Sequence, residues 1–119
     1  MPLVIRAFPV LPGKEDDLRA FASELAGPRR PEATEFYRQF GVRHENWHLQ
    51  QTPHGTWVIA VTDLIEDPQM AAQAYADSER PFDRWFKDKV REISGSDPDL
   101  EPLGPPTEAI LDWSADPRD

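Results

Sequence analysis

A chain of 119 residues, 39% hydrophobic and 29% charged, with a formal charge of −9 at pH 7, has the apolar content for one folded core and the wrong sign of charge for a phosphate backbone or an anionic membrane. It contains no cysteine, which excludes disulfides, thiolate catalysis and cysteinyl metal sites. No apolar run approaches the ~20 residues that span a bilayer, and the apolar start lacks a basic leader and is broken by Pro9 and Pro12, so no nucleic-acid or membrane partner is expected and a cytoplasmic location is the default.

Residues 3–10, LVIRAFPV, are β-branched and aromatic enough for a strand, which Pro12-Gly13 ends. Leu18, Phe21, Ala22 and Leu25 then recur at helical spacing, with Glu15, Asp16 and Asp17 in the first turn, where the helix dipole favours them. Gly27-Pro28 stops that helix, and Pro31 suits the first turn of a second one, which carries Phe36, Tyr37 and Phe40 and ends at Gly41. Residues 42–51 and 56–64 read as two strands joined through the turn TPHG. Asp67 caps a helical pattern that begins at Pro68 and reaches Gly95, kinked or split at Pro81. Tyr75, Ser78, Phe82, Trp85, Phe86, Lys89, Val90 and Ile93 form its inward stripe. A proline-rich connector follows, then TEAILDW as a last strand and a polar tail at 114–119.

The order β-α-(α)-β-β-α-β predicts one α+β domain over residues 1–119, a ferredoxin-like βαββαβ unit with a four-stranded antiparallel sheet and helices on one face. The other face would expose residues such as Val4, Trp47, Leu49, Ile59, Val61 or Trp113, depending on register. An apolar face of that size predicts a homodimer, sheet against sheet.

The stretches GVRHENWHLQQTPHG, WVIAVTD and SERPFDRWFKDKVREISG resemble those of a family of small bacterial proteins in the dimeric α+β barrel superfamily, a likeness that covers nearly the whole chain. It implies the dimeric barrel fold. It leaves function open among cofactor-free monooxygenases, haem-degrading enzymes, polyketide cyclases, isomerases and stress proteins, because one fold hosts many chemistries. His48 departs from the family pattern, where an aromatic is expected.

All three histidines, His44, His48 and His54, fall within residues 41–63. In a helix His44 and His48 would share a metal; in a strand, residues four apart lie ~13 Å apart at ~3.3 Å per residue, too far for one ion. That removes a His44–His48 site within one chain and leaves only a site shared with a dimer mate or a helix carboxylate, so no metal is the expectation. Strict alternation places Val42, His44, Asn46, His48 and Gln50 on one face and Arg43, Glu45, Trp47 and Leu49 on the other. A polar row beneath helices suggests a ligand-filled cleft, or else a row of satisfied structural side chains, or a slipped register that leaves the row exposed on an edge strand. In the cleft reading His44 moves a proton, His48 or Tyr37 holds a developing oxyanion, and Asn46, Tyr75, Phe82, Trp85 and Phe86 line the site. Asp83 either caps the helix restarted by Pro81 or enters the cleft. No GxGxxG, Walker, GxSxG or HExxH pattern is present, so no cofactor is expected. The resulting expectation is a cofactor-independent enzyme (monooxygenase, cyclase or isomerase type) on a small apolar or aromatic molecule. The alternatives are a non-catalytic ligand-binding or structural dimer and, more remotely, a haem protein with an axial His44 or His48.

Overall fold

The computed structural model describes residues 3–65 and 67–116; the polar tail expected at 114–119 lies outside them from residue 117 onward. The elements are β1 (Leu3–Val10), α1 (Glu15–Ala26), α2 (Arg30–Gln39), β2 (Val42–Thr52), β3 (Gly55–Leu64), α3 (Pro68–Asp77) and α4 (Pro81–Ser94). The chain is thus α+β, with four helices and an antiparallel sheet of three strands in the order β1-β3-β2 among the described residues.

Local chemistry sets most of these boundaries. Asp67 accepts the Gln69 backbone N–H at 2.9 Å and caps α3, with Pro68 at its first position. Pro81 splits the long helical pattern in two, because it has no N–H to continue the ladder. Asp83 then restarts it: its Oδ2 accepts the Arg80 N–H at 3.3 Å. Gly95, at φ 76°, closes α4 in a left-handed cap that a side chain would disfavour.

Helices cover one face of the sheet. Phe36, Phe21 and Phe86 form the centre of that interface, with Phe36 and Phe86 ring centroids 4.4 Å apart and Phe21 5.1 Å from Phe86. Val10 and Val58 meet them from the strands, while Val4 and Leu64 pack with Ala71 in a second, smaller cluster. The opposite face stays open, and Leu3, Ile5 and Trp57 are exposed on it.

Two expectations are corrected. First, residues 107–113 do not join the sheet as a fourth strand. Pro105 and Pro106 supply no N–H to start a ladder. The Thr107 hydroxyl donates to the Ile5 carbonyl at 2.8 Å, so a side chain takes an acceptor that a backbone ladder would use. Second, Val4, Trp47 and Leu49 turn toward the helices rather than onto the open face. Ile59 and Val61 do face outward, in register with Ala7 and Ile5.

Gly104 brings the connector back against β1. It has φ 70°, and a Cβ built there would come 2.8 Å from Phe8 Cε1. Gly104→Ala should therefore combine backbone strain with overpacking and cost about 1–3 kcal/mol, read as a lowered chemical-denaturation midpoint.

Candidate functional site

A single extra residue decides which side chains face the helices. Val42 pairs with Leu64, but His44 pairs with Asp63, so Arg43 is a bulge that opposes no partner. Beyond it the alternation is inverted. Glu45, Trp47 and Leu49 point under the helices, opposite Thr62, Ala60 and Val58 of β3. His44, Asn46 and His48 point to the open face. The polar row is thus not beneath a helical cover. His48 Nε2 lies 2.7 Å from Asn46 Oδ1, and the Asn46 amide lies 3.5 Å from His44 Nδ1, so the three form a short solvent-side chain of contacts. His54 sits in the tight turn, where its N–H donates to Thr52 Oγ1 at 3.1 Å.

Under the helices lies a cavity of about 150 Å³. Its wall is almost wholly apolar and includes Phe36, Tyr37, Tyr75 and Phe86 from the helices and Val58 and Ala60 from β3. Tyr37, Tyr75 and Phe86 are where the ligand reading places them. Phe82 and Trp85 are not: they sit outside the cavity as a half-buried platform, with the Arg29 guanidinium carbon 3.9 Å from the Trp85 ring centroid and 5.0 Å from that of Phe82. Arg29 also pairs with Glu32 at 3.0 Å, which anchors it over the rings. Asp83 is buried and caps α4, and its second oxygen accepts from Gln39 at 3.2 Å.

The cavity's distinctive polar group is Glu45. One carboxylate oxygen accepts from Trp47 Nε1 at 2.7 Å and the other from the Thr62 hydroxyl at 2.5 Å. Burial raises its pKa from the ordinary carboxylate range to about 7, against the opposing pull of these two donors. Burial likewise holds the Tyr37 phenol well above its usual value, and the Glu45 charge adds to that. Tyr75 is shifted the same way by burial. Both phenols therefore stay protonated while Glu45 titrates near neutrality.

Arg6 closes the opposite side of the cavity from β1. Two strand spacings of ~4.8 Å separate β1 from β2, so Arg6 and Glu45 stand on opposite sides of β3. Arg6 donates to the Ile5 carbonyl at 3.1 Å and to Thr107 Oγ1 at 3.3 Å, but its buried Nε–H has no partner among the described residues. Burial lowers its pKa.

The remaining wall is the connector after α4. Lys87 holds it in place. This side chain is fully buried (0% exposed) and donates to the Ala76 and Ser78 carbonyls at 3.1 and 2.8 Å and to Asp99 at 2.6 Å. Arg91 adds bonds to Asp97 at 3.0 Å and Asp99 at 2.7 Å.

Sequence reasoning missed Glu45, Arg6, Thr62 and Lys87. A signal existed for Glu45: it shares its alternation with Trp47 and Leu49, an apolar pair that wants the core more than His44 and Asn46 do. No histidine lines the cavity, and its volume is far below what a porphyrin needs. Among the described residues no three His, Asp or Glu side chains converge as a metal-holding group, and no helix is long and apolar enough to cross a membrane. No family model matches the chain, and neither a curated protein nor a solved structure does.

Proposed function

We propose that this chain binds a small, largely apolar molecule, about one ring in size, in the cavity between sheet and helices, and moves a proton on it with Glu45. The observation that carries this reading is a buried carboxyl that titrates at about 7 in an apolar cavity of about 150 Å³. An apolar cavity of about that volume accommodates benzene, and a general base poised near the working pH is the most effective one. The acid–base role expected of His44 passes to Glu45 in this reading. Glu45 takes a proton from an acidic C–H or O–H of the ligand and returns it elsewhere, an isomerisation or cyclisation that needs no cofactor. Tyr37, protonated beside it, is a hydrogen-bond donor for a developing oxyanion. A ligand oxygen at the far end could accept from Arg6 Nε–H, a buried donor that otherwise goes unmatched at a cost of about 1–3 kcal/mol.

The dimeric barrel architecture remains part of this proposal.

Thermal unfolding with a panel of monocyclic ligands (phenol, benzoate, cyclohexanone) tests the cavity. A ligand present at about 100 times its Kd should stabilise the wild type by about 2.7 kcal/mol. Ala60→Phe, which fills the floor between Arg6 and Trp47, should fold and lose that response. A wild type indifferent to every member of the panel would remove the binding reading.

A further inference from the structure

We infer, as an extension that depends on the binding reading above, that the ligand of the cavity is a small monocyclic carboxylic acid, bound as its anion with the carboxylate on Arg6 and the ring toward Glu45. Arg6 is the starting point because its charge has no counterpart. Lys14, Arg29, Lys87, Lys89 and Arg91 are the other sheltered cations among the described residues, and each pairs with a carboxylate. Arg6 pairs with none, in a chain with 22 acidic residues against 13 Lys and Arg. Arg30 and Arg38 also lack a pair, but both are exposed.

The free part of the guanidinium has the shape that a carboxylate recognises. Nη1 is occupied by the Ile5 carbonyl and the Thr107 hydroxyl. The Nε–H is buried without a partner among the described residues, and Nη2 makes no bond to them either. Nε and Nη2 form the planar edge whose two parallel N–H groups a carboxylate accepts side-on. An anion at this edge removes two costs at once, that of an unmatched buried donor and that of a sheltered, unpaired charge.

Position then sets the ligand's direction. Arg6, Glu101, Pro102 and Leu103 line both the inner cavity and a broader pocket bounded by Pro68, Gln69 and residues 100–105. Arg6 thus stands at the junction of the two. It is also the one cation among the described residues that line the inner cavity. A ring fills an apolar space of about 150 Å³, so a charged group on that ring has to sit at the junction, where Arg6 offers its edge. Turned round, the carboxylate would meet Glu45 and the phenols of Tyr37 and Tyr75, and no cation. Arg6 lies level with Ala60, and Glu45 level with Thr62. Two strand spacings across and two residues along put their Cα atoms on the order of 12 Å apart. Both side chains reach inward from there, which leaves the span of one ring between them. Glu101 shares the junction but is exposed, so water weakens its repulsion of an anion.

Titration calorimetry with benzoate and benzamide at about pH 6 tests this. Glu45, with its midpoint at about 7, is then mostly protonated, while benzoate is ionised. Benzamide has the same size but offers the Arg6 edge one acceptor instead of two. The wild type should bind benzoate at least about ten-fold more tightly, the lower end for a charge-assisted hydrogen bond. Arg6→Met should erase that preference. Arg6→Lys, which keeps the charge without the fork, should keep part of it. A measurement on the wild type needs no variant: in nitrogen-15-labelled protein the Arg6 Nε–H resonance should move downfield on adding benzoate and much less on adding benzamide. Equal affinity for the two ligands, an undiminished preference in Arg6→Met, or an unmoved Nε–H would each overturn the acid and leave the cavity reading intact. Failure of both ligands to bind would remove the two together.

Discussion

Replacing Lys87 by Met should lower the stability of this protein by about 3 kcal/mol, the low end of the range for breaking a buried ion pair, because Lys87 is fully buried while Asp99 is partly exposed. The methionine fills the space of the lysine stem but takes a donor from two carbonyls, Ala76 and Ser78, at a fully buried position, and removes the ammonium from Asp99, which is partly exposed and keeps its pair with Arg91. The loss is large because the ammonium closes three bonds at once, including a contact of 2.6 Å to Asp99. Chemical denaturation gives the magnitude directly, and the thermal midpoint should fall by more than 10 °C, roughly, for a domain of this length. Asp99→Asn is the graded control. It keeps an acceptor for the ammonium and should cost about 1–2 kcal/mol. Asp99 also carries a pH signature. Its hydrogen bond to Lys87 holds its pKa below the ordinary aspartate value. A depressed carboxylate contributes stability that is present above its unfolded pKa and fades as pH falls through the folded one, so the Asp99 contribution should disappear in acid. The same variant tests the cavity wall: with Lys87 gone, the connector loses its tether and ligand-induced stabilisation should weaken. A Lys87→Met protein as stable as the wild type would mean that packing alone holds the connector.

Much of this architecture was legible in the sequence because it depends on local signals. Pro81 splits the long helix, Asp67 starts α3, and Gly95 ends α4, each through backbone chemistry that a short window contains. The hairpin between β2 and β3 is equally local. Its tight turn pairs Thr52 with Gly55. What was not legible depends on a single non-local choice. Strict alternation from Val42 assigns His44, Asn46 and His48 to the helix side, and one bulged residue, Arg43, inverts every position that follows. The bulge is stabilised from outside the strand, by the Arg43–Asp63 pair at 2.9 Å, which no pattern in β2 alone reveals. Tyr37, Tyr75 and Phe86 reach the cavity because helical spacing is insensitive to that slip. Phe82 and Trp85 miss it because the α4 stripe is wider than the cavity, and its outer edge packs beneath Arg29. Lys87 is a related case. It stands in the middle of an apolar stripe, and only the fold shows that two carbonyls at the α3 C-terminus and Asp99 are waiting for it.

Replacing Glu45 by Gln should make the protein more stable at pH 8 and leave it unchanged at about pH 3.5, below the unfolded pKa. The sign follows from proton binding. In the unfolded chain Glu45 releases its proton near ~4.3; in the folded protein burial delays release to about 7. Between those values the folded state holds more protons, so wild-type stability falls as pH rises through the window and levels off above the folded pKa. Stability changes by about 1.36 kcal/mol for each pH unit that separates the two values, so the full swing is about 4 kcal/mol as an upper value. Glutamine resembles the protonated acid: its oxygen can accept from Trp47 Nε1, and its amide can donate to Thr62 Oγ1, so no buried group loses its partner. The difference between the two denaturation curves, taken at each pH, isolates Glu45 from the general repulsion of an acidic chain. Thr62→Val supplies the directional check. The Thr62 bond favours the charged form, so its removal should move the Glu45 midpoint further up, readable by carboxyl carbon NMR. This same proton inventory is what the proposed chemistry requires. A site that holds a carboxyl half-charged at neutral pH sacrifices folding stability to keep a base in an apolar cavity, and Glu45→Gln should recover that stability as it abolishes proton transfer. A variant whose stability follows the wild type across pH 5–8 would show that Glu45 is ionised throughout, and would leave the cavity a place to bind but not to react.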